Sequence, residues 1–81
     1  MYYAYILKSE LLKAKHYVGY TADLKTRLYR HNSGAEQATK YGKPWVLLWY
    51  GTFQSKPKAL AFEKYLKSGS GHSFRKRHLL A

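Results

Sequence analysis

The chain has 81 residues, 46 % of them hydrophobic, and no cysteine. That length sets one small domain, residues 1–81, with room for a core; the missing cysteines exclude a disulfide framework and a thiolate metal site and suit a reducing, cytoplasmic setting. Fifteen Lys+Arg against four Asp+Glu make a formal charge of +11, which points to a polyanionic partner, nucleic acid ahead of an anionic membrane surface.

YYAYILK, residues 2–8, puts Tyr3, Tyr5 and Leu7 on one face and Ala4 and Ile6 on the other, and so predicts a strand. The start reads into that strand, not into a signal peptide, and no apolar run nears the ~20 residues of a membrane span. SELLKAK (9–15) is a hairpin connection, and HYVGY (16–20) is the second strand, weakened by Gly19 between its aromatics. Thr21 is the expected N-cap of a helix, with Asp23 in the first turn where the helix dipole favours an acid. Leu24 and Leu28 make an i, i+4 stripe over about residues 22–33, and Gly34 is the stop. Residues 34–44 read as a loop whose length suggests function or mobility. WVLLWYG (45–51) is apolar on both parities, as a central strand buried on both faces would be. Ser55 is the next N-cap, Pro57 fits the first turn, and the helix runs to about Ser68. GSG at 69–71 breaks it, and HSFRKRHLL (72–80) forms a short basic final helix. The order β-β-α-β-α-α predicts an α+β fold, a three-stranded sheet with helices packed on it.

Chemistry is easiest to read from the acids, which are only Glu10, Asp23, Glu36 and Glu63. Glu63 falls on or beside an apolar helical stripe, where a carboxylate needs a partner. Spacing alone serves two readings: a functional carboxylate, or a rim salt bridge to Lys67 at i+4. Arg27 and His31, also four apart, share one face of the first long helix near the core edge. A guanidinium there suits a two-pronged grip on phosphate, though a solvated basic helix has the same spacing. A lone histidine is ordinarily a surface or capping residue, and His16, His72 and His78 make no metal-ligand spacing with His31. Tyr5 and Tyr17 lie on strands expected to pair, where packing is the usual role of a tyrosine. Nucleotide cradles of the GxGxxG or GxxxxGK[ST] type are absent, so no nucleotide cofactor is expected. Four scattered acids cannot hold two ions, so any metal rests on one carboxylate with waters and substrate phosphate.

A tyrosine in the first strand (Tyr5, in YAYIL), then YVG at 17–19, an arginine ten residues after Tyr17 and a later helical glutamate together resemble the GIY-YIG endonuclease superfamily. YYAYILKS, YVGYTADLKTRLYRHNSG, KPWVLLWY and AFEKYLKSGSG are similar to small single-domain bacterial proteins grouped with the nuclease domain of a structure-specific endonuclease. Two departures stand out. The first triplet reads Tyr3-Ala4-Tyr5, so only its last residue matches, and Tyr20 stands where some relatives carry a lysine. The resemblance implies an antiparallel sheet and metal-dependent hydrolysis of DNA phosphodiesters, structure-specific and in DNA repair or processing. It further implies that Tyr5 and Tyr17 line the site, with Tyr17 most often taking the proton of the attacking water. Arg27 would bind the scissile phosphate, and Glu63 would ligate one Mg²⁺ or Mn²⁺. His31 would serve as a base or hold Tyr17. A free tyrosine is only about 0.1 % ionised at neutral pH, so such a base needs nearby cations. Lys25, Arg30, Lys67, Arg75 and Lys76 are the expected nucleic-acid contacts, with a protein partner for targeting as a further expectation. Gly19 would let substrate approach the Tyr17 hydroxyl; a β-bulge is the structural alternative. The competing function is a nucleic-acid-binding module without turnover; against it, a carboxylate near a basic cleft only repels phosphate.

Overall fold

The computed structural model describes residues 1–79. Strands β1 (Tyr2–Ser9), β2 (His16–Thr21) and β3 (Trp45–Phe53) form an antiparallel sheet in the order β2-β1-β3. Helix α1 (Leu24–Ser33) covers one face, and α2 (Lys56–Lys67) with α3 (Gly69–Phe74) covers the other. The architecture is the expected α+β fold.

The central strand is therefore β1, not WVLLWYG. In β1, Ala4, Tyr5, Ile6 and Leu7 are all buried, because the strand carries helices on both sides. The double apolar parity of β3 has another cause. Ile6 pairs with Trp49 and Leu7 with Leu47, so Leu48 is an extra residue in the ladder, a β-bulge. The bulge reverses which face each parity serves. Trp45 and Leu47 pack with Tyr5 and Leu7 under α1, whereas Trp49 packs with Ile6 under α2.

Helix boundaries shift for local reasons. Thr21 ends β2, and its hydroxyl accepts from the Asp23 N–H at 3.1 Å. Asp23, in extended conformation, is the actual N-cap of α1; its carboxylate accepts from Thr26 N–H at 3.1 Å and from the Thr26 hydroxyl at 2.9 Å. Carboxylates are among the strongest caps, and this one completes a two-residue turn rather than decorating a helix already begun. Ser55 caps α2 as expected, with Pro57 in the first turn.

GSG does not break the chain into a loop. Ser68 ends α2 and caps α3, its Oγ accepting from the Gly71 N–H at 3.1 Å. Gly71 is buried in that turn, and a Cβ there would collide with the Tyr65 carbonyl. The expected 72–80 helix is thus α3 followed by a wider π-type turn, Arg75–Leu79; Leu80 lies outside the described residues.

The 34–44 loop is tied down at its far end. The Trp45 indole N–H donates to the Thr39 carbonyl at 2.8 Å, and the Asn32 side-chain amide bonds both the N–H and the C=O of Trp45. Glu10 N–H reaches the Pro44 carbonyl at 2.9 Å, which joins the hairpin connection to the same loop. These ties hold Thr39 against α1.

Candidate active site

Register brings the two tyrosines together. Tyr5 pairs with Gly19 and Leu7 with Tyr17, so Tyr5 and Tyr17 are diagonal neighbours on the α1 face, ring centroids 6.4 Å apart. Gly19 is explained by this pairing. A Cβ at Gly19 would sit 2.6 Å from the Tyr5 hydroxyl oxygen and 2.9 Å from a Tyr17 ring carbon. What approaches Gly19 is the Tyr5 ring laid across the strand, and no bulge interrupts this ladder.

Arg27 and His31, one turn apart on α1, come down beside these rings. His31 is fully buried. Its Nε2 is 2.8 Å from the Tyr5 hydroxyl and its Nδ1 is 2.7 Å from the Thr39 hydroxyl. The Thr39 hydroxyl can donate onward to the Glu36 carbonyl, at a long 3.5 Å. A consistent proton arrangement follows: Tyr5 donates to Nε2, Nδ1–H donates to Thr39, and Thr39 donates to the loop backbone. Burial holds His31 below the ordinary histidine value, so the ring is neutral at pH 7. Burial, then the neighbouring Tyr17, pushes the Tyr5 phenol far above the ordinary tyrosine value; Arg27 against the phenol pulls the other way and loses. Tyr5 therefore stays protonated, as a donor.

His31 touches Tyr17 by packing, with ring centroids 5.0 Å apart. Trp45 packs against Tyr17 as well, with ring centroids 6.5 Å apart. Tyr17 is only partly buried, as is Arg27, whereas Tyr5 is 1 % exposed. Tyr5 thus lies beneath the site rather than lining it, and both nitrogens of His31 are already engaged. Arg27 joins no salt bridge among the described residues; the ion pairs there are Arg30–Glu36 at 2.8 Å and Lys67–Glu63 at 3.1 Å. Arg30 holds the Glu36 carboxyl below the usual carboxylate range. A half-buried guanidinium outside any salt bridge among the described residues is available to an anion from outside.

Glu63 lies on α2, not on α1. It projects from α2, whose Phe62 and Leu66 pack on the opposite sheet face, and its carboxylate is engaged with Lys67. No hydrogen bond joins it to the Tyr5–His31–Thr39 chain among the described residues. The described residues include no group of three or more histidines and acids that could surround a metal ion. As a donor set, Glu63 fits a hard divalent cation only in the sparse form, one carboxylate with waters and substrate phosphate oxygens.

The expected nucleic-acid contacts divide. Arg30 and Lys67 are spent on carboxylates, and Arg75 bonds the His72 ring at 2.8 Å. Lys25 and Lys76 are exposed. Lys25, two residues before Arg27, lies on the opposite flank of α1, at a groove of about 480 Å³ lined with Tyr3, Leu28, Leu47 and Tyr50. Sequence reasoning missed Thr39. A single threonine in a polar loop carries no pattern; only the Trp45 anchor, formed in three dimensions, turns it toward His31.

A model of the GIY-YIG catalytic domain matches residues 1–77. UPF0213 proteins of Streptococcus pyogenes serotypes M3, M1 and M4 are 42 % identical over 65 residues, covering 79 % of this chain and 71 % of theirs. No solved structure matches.

Proposed function

The chain belongs to the GIY-YIG family, a family of nucleases, and from that premise we propose that it is a divalent-metal-dependent DNA endonuclease acting in repair or processing. The observation that carries the reading is the half-buried Arg27, which joins no salt bridge among the described residues, beside the Tyr5–Tyr17 pair and above a buried polar chain through His31 and Thr39. A purely structural face would bury hydrocarbon there, since buried polar groups cost stability unless satisfied.

Arg27 grips non-bridging oxygens of the scissile phosphate and offsets the charge that develops in the transition state. Tyr17, the accessible tyrosine of the pair, accepts the proton of the attacking water as the phenolate and becomes the neutral phenol. Tyr5 and His31 are positioning residues. The protonated Tyr5 phenol fixes the His31 tautomer, and the His31 ring holds the Tyr17 ring at its angle. Glu63 is the residue that would hold one Mg²⁺ or Mn²⁺, which when bound withdraws charge from phosphate oxygens.

The test is cleavage of labelled single-stranded, duplex, flap and branched DNA with Mg²⁺, with Mn²⁺ and with EDTA. Metal-dependent cutting that falls about 10²–10³-fold in Arg27→Gln, the range for losing one transition-state donor, and is lost in Glu63→Ala supports the reading. Tight binding without cutting under any metal assigns the chain to the nucleic-acid-binding modules without turnover. Cutting undiminished in Glu63→Ala removes the metal role of that residue.

A further inference from the structure

A second basic cluster lies away from Arg27, on the other face of the sheet. Lys8 and His16 are cross-strand partners in the β1–β2 ladder. Each is two residues from a member of the core on the α2 side: Lys8 from Ile6 and His16 from Val18. By strand parity both point to the α2–α3 side. Phe74 of α3 packs on that same core, which brings the adjoining His72 and Arg75 to the same end of the hairpin. Arg75 bonds the His72 Nδ1 at 2.8 Å, so that ring nitrogen is acting as an acceptor. Arg75 Nε is a buried N–H with no partner among the described residues.

A buried guanidinium donor without an acceptor is costly. Here that donor stands beside a cluster of basic groups. The charged groups that act on His16 are Arg75, Lys8 and His72, all basic, and α2, the other element packed on β2, contributes none. Burial first, and these neighbours second, hold His16 below the ordinary histidine value. An anion seated among them would accept from the Arg75 guanidinium and offset the positive charge of Lys8 and Arg75.

We infer that Lys8, His16, His72 and Arg75 form an anchoring subsite for a backbone phosphate of the nucleic acid, on the sheet face opposite Arg27. The inference rests on the nucleic-acid reading above and extends it: the bound strand passes round the β2 edge and is held on both faces. The subsite is pH-dependent, because a phosphate beside His16 favours the protonated ring.

The test is binding of a fluorescein-labelled 20-base-pair duplex by anisotropy, in EDTA so that nothing is cut, across salt and from pH 7.5 to 5.5. Each phosphate contact adds about 0.9 to the slope of log Kobs against log[salt]. Lys8→Gln and Arg75→Gln are each expected to lower the slope by about that amount. Lys13→Gln, an equal charge loss in the exposed hairpin connection, should leave it unchanged. Circular dichroism checks that Arg75→Gln folds, and Lys8→Gln, on an exposed side chain, carries the test if it does not. The wild type should tighten as pH falls, and His16→Gln should lose that tightening. Variants that behave like Lys13→Gln, a pH dependence unaltered in His16→Gln, or absence of duplex binding would each overturn the subsite. Metal-dependent cleavage beside any of these leaves the nuclease standing alone; the expected binding without cleavage leaves the subsite standing alone.

Discussion

On the α2 side of the sheet, Ile6, Val18 and Leu66 are buried with Trp49, Phe62 and Phe74 around them, and Phe62 touches four other aromatic rings with centroids between 5.4 and 6.4 Å. On the α1 side, the same central strand buries Tyr5 and Leu7, but among them lie His31 and Thr39, both polar and both fully engaged in hydrogen bonds. One strand, by alternation alone, supplies hydrocarbon to one layer and a hydroxyl to the other. The difference teaches where stability and chemistry are separated in this fold. The aromatic layer is held by area, and area tolerates small changes in shape. The polar layer is held by a chain of hydrogen bonds in which each member orients the next, so removing one leaves a neighbour unsatisfied.

That contrast can be broken at four points. The largest effect belongs to the apolar layer. Leu66→Ala should cost about 2–5 kcal/mol in a denaturant titration, since Leu66 is fully buried, with the cleavage rate per folded molecule kept. Thr39→Val removes the acceptor for His31 Nδ1–H and should cost about 1–3 kcal/mol. Unlike Leu66→Ala, it should also lower the cleavage rate of the folded protein, because His31 no longer has a fixed tautomer. Stability lost with kinetics intact would show that Thr39 serves packing alone. Gly19→Ala should cost about 1–3 kcal/mol by overpacking and reduce activity by displacing the Tyr5 ring. Full activity in that variant would mean that the Tyr5 position is not critical. The gentlest probe is pH. His31 has a depressed value in the folded state, so between that value and the ordinary 6.5 the unfolded chain binds more protons. Stability should therefore be whole above pH 6.5 and fall as acid is added below it. His16 shifts in the same direction, so the measurement belongs in a His16→Gln background, where His31→Asn should flatten the curve and Leu66→Ala should not.

Much of this was legible along the chain, and the failures are of two kinds. Strand β1, both sides of its alternation, the Ser55 cap and the run of elements follow from local periodicity and local hydrogen-bonding preferences, which act within a few residues. Arg27 and His31 were placed on one face of one helix by the 3.6-residue repeat, and Tyr5 and Tyr17 on strands expected to pair. One error came where a distant contact overrode the local pattern, the other from a short-range competition between two caps. WVLLWYG reads as a central strand until the Leu48 bulge splits its apolar residues between two layers. Thr21 reads as the cap until Asp23, two residues on, takes the exposed N–H of Thr26.

What the sequence by itself determined is the chemical stock of the protein: its charge, its scarcity of acids, its tyrosines, and the elements that carry them. Those properties depend on side-chain type and on neighbours within one helical turn or one strand. Only the tertiary structure decided which tyrosine is sealed and which is accessible, that Gly19 makes room for the Tyr5 ring, and that Thr39 completes the chain through His31. It also left Arg27 outside any salt bridge among the described residues, whereas the Glu63–Lys67 pair was already offered by the i+4 spacing. The reason is that burial, register and hydrogen-bond partnership are properties of pairs far apart in sequence. Tyr5 and His31 are 26 residues apart, and no local rule reaches that distance.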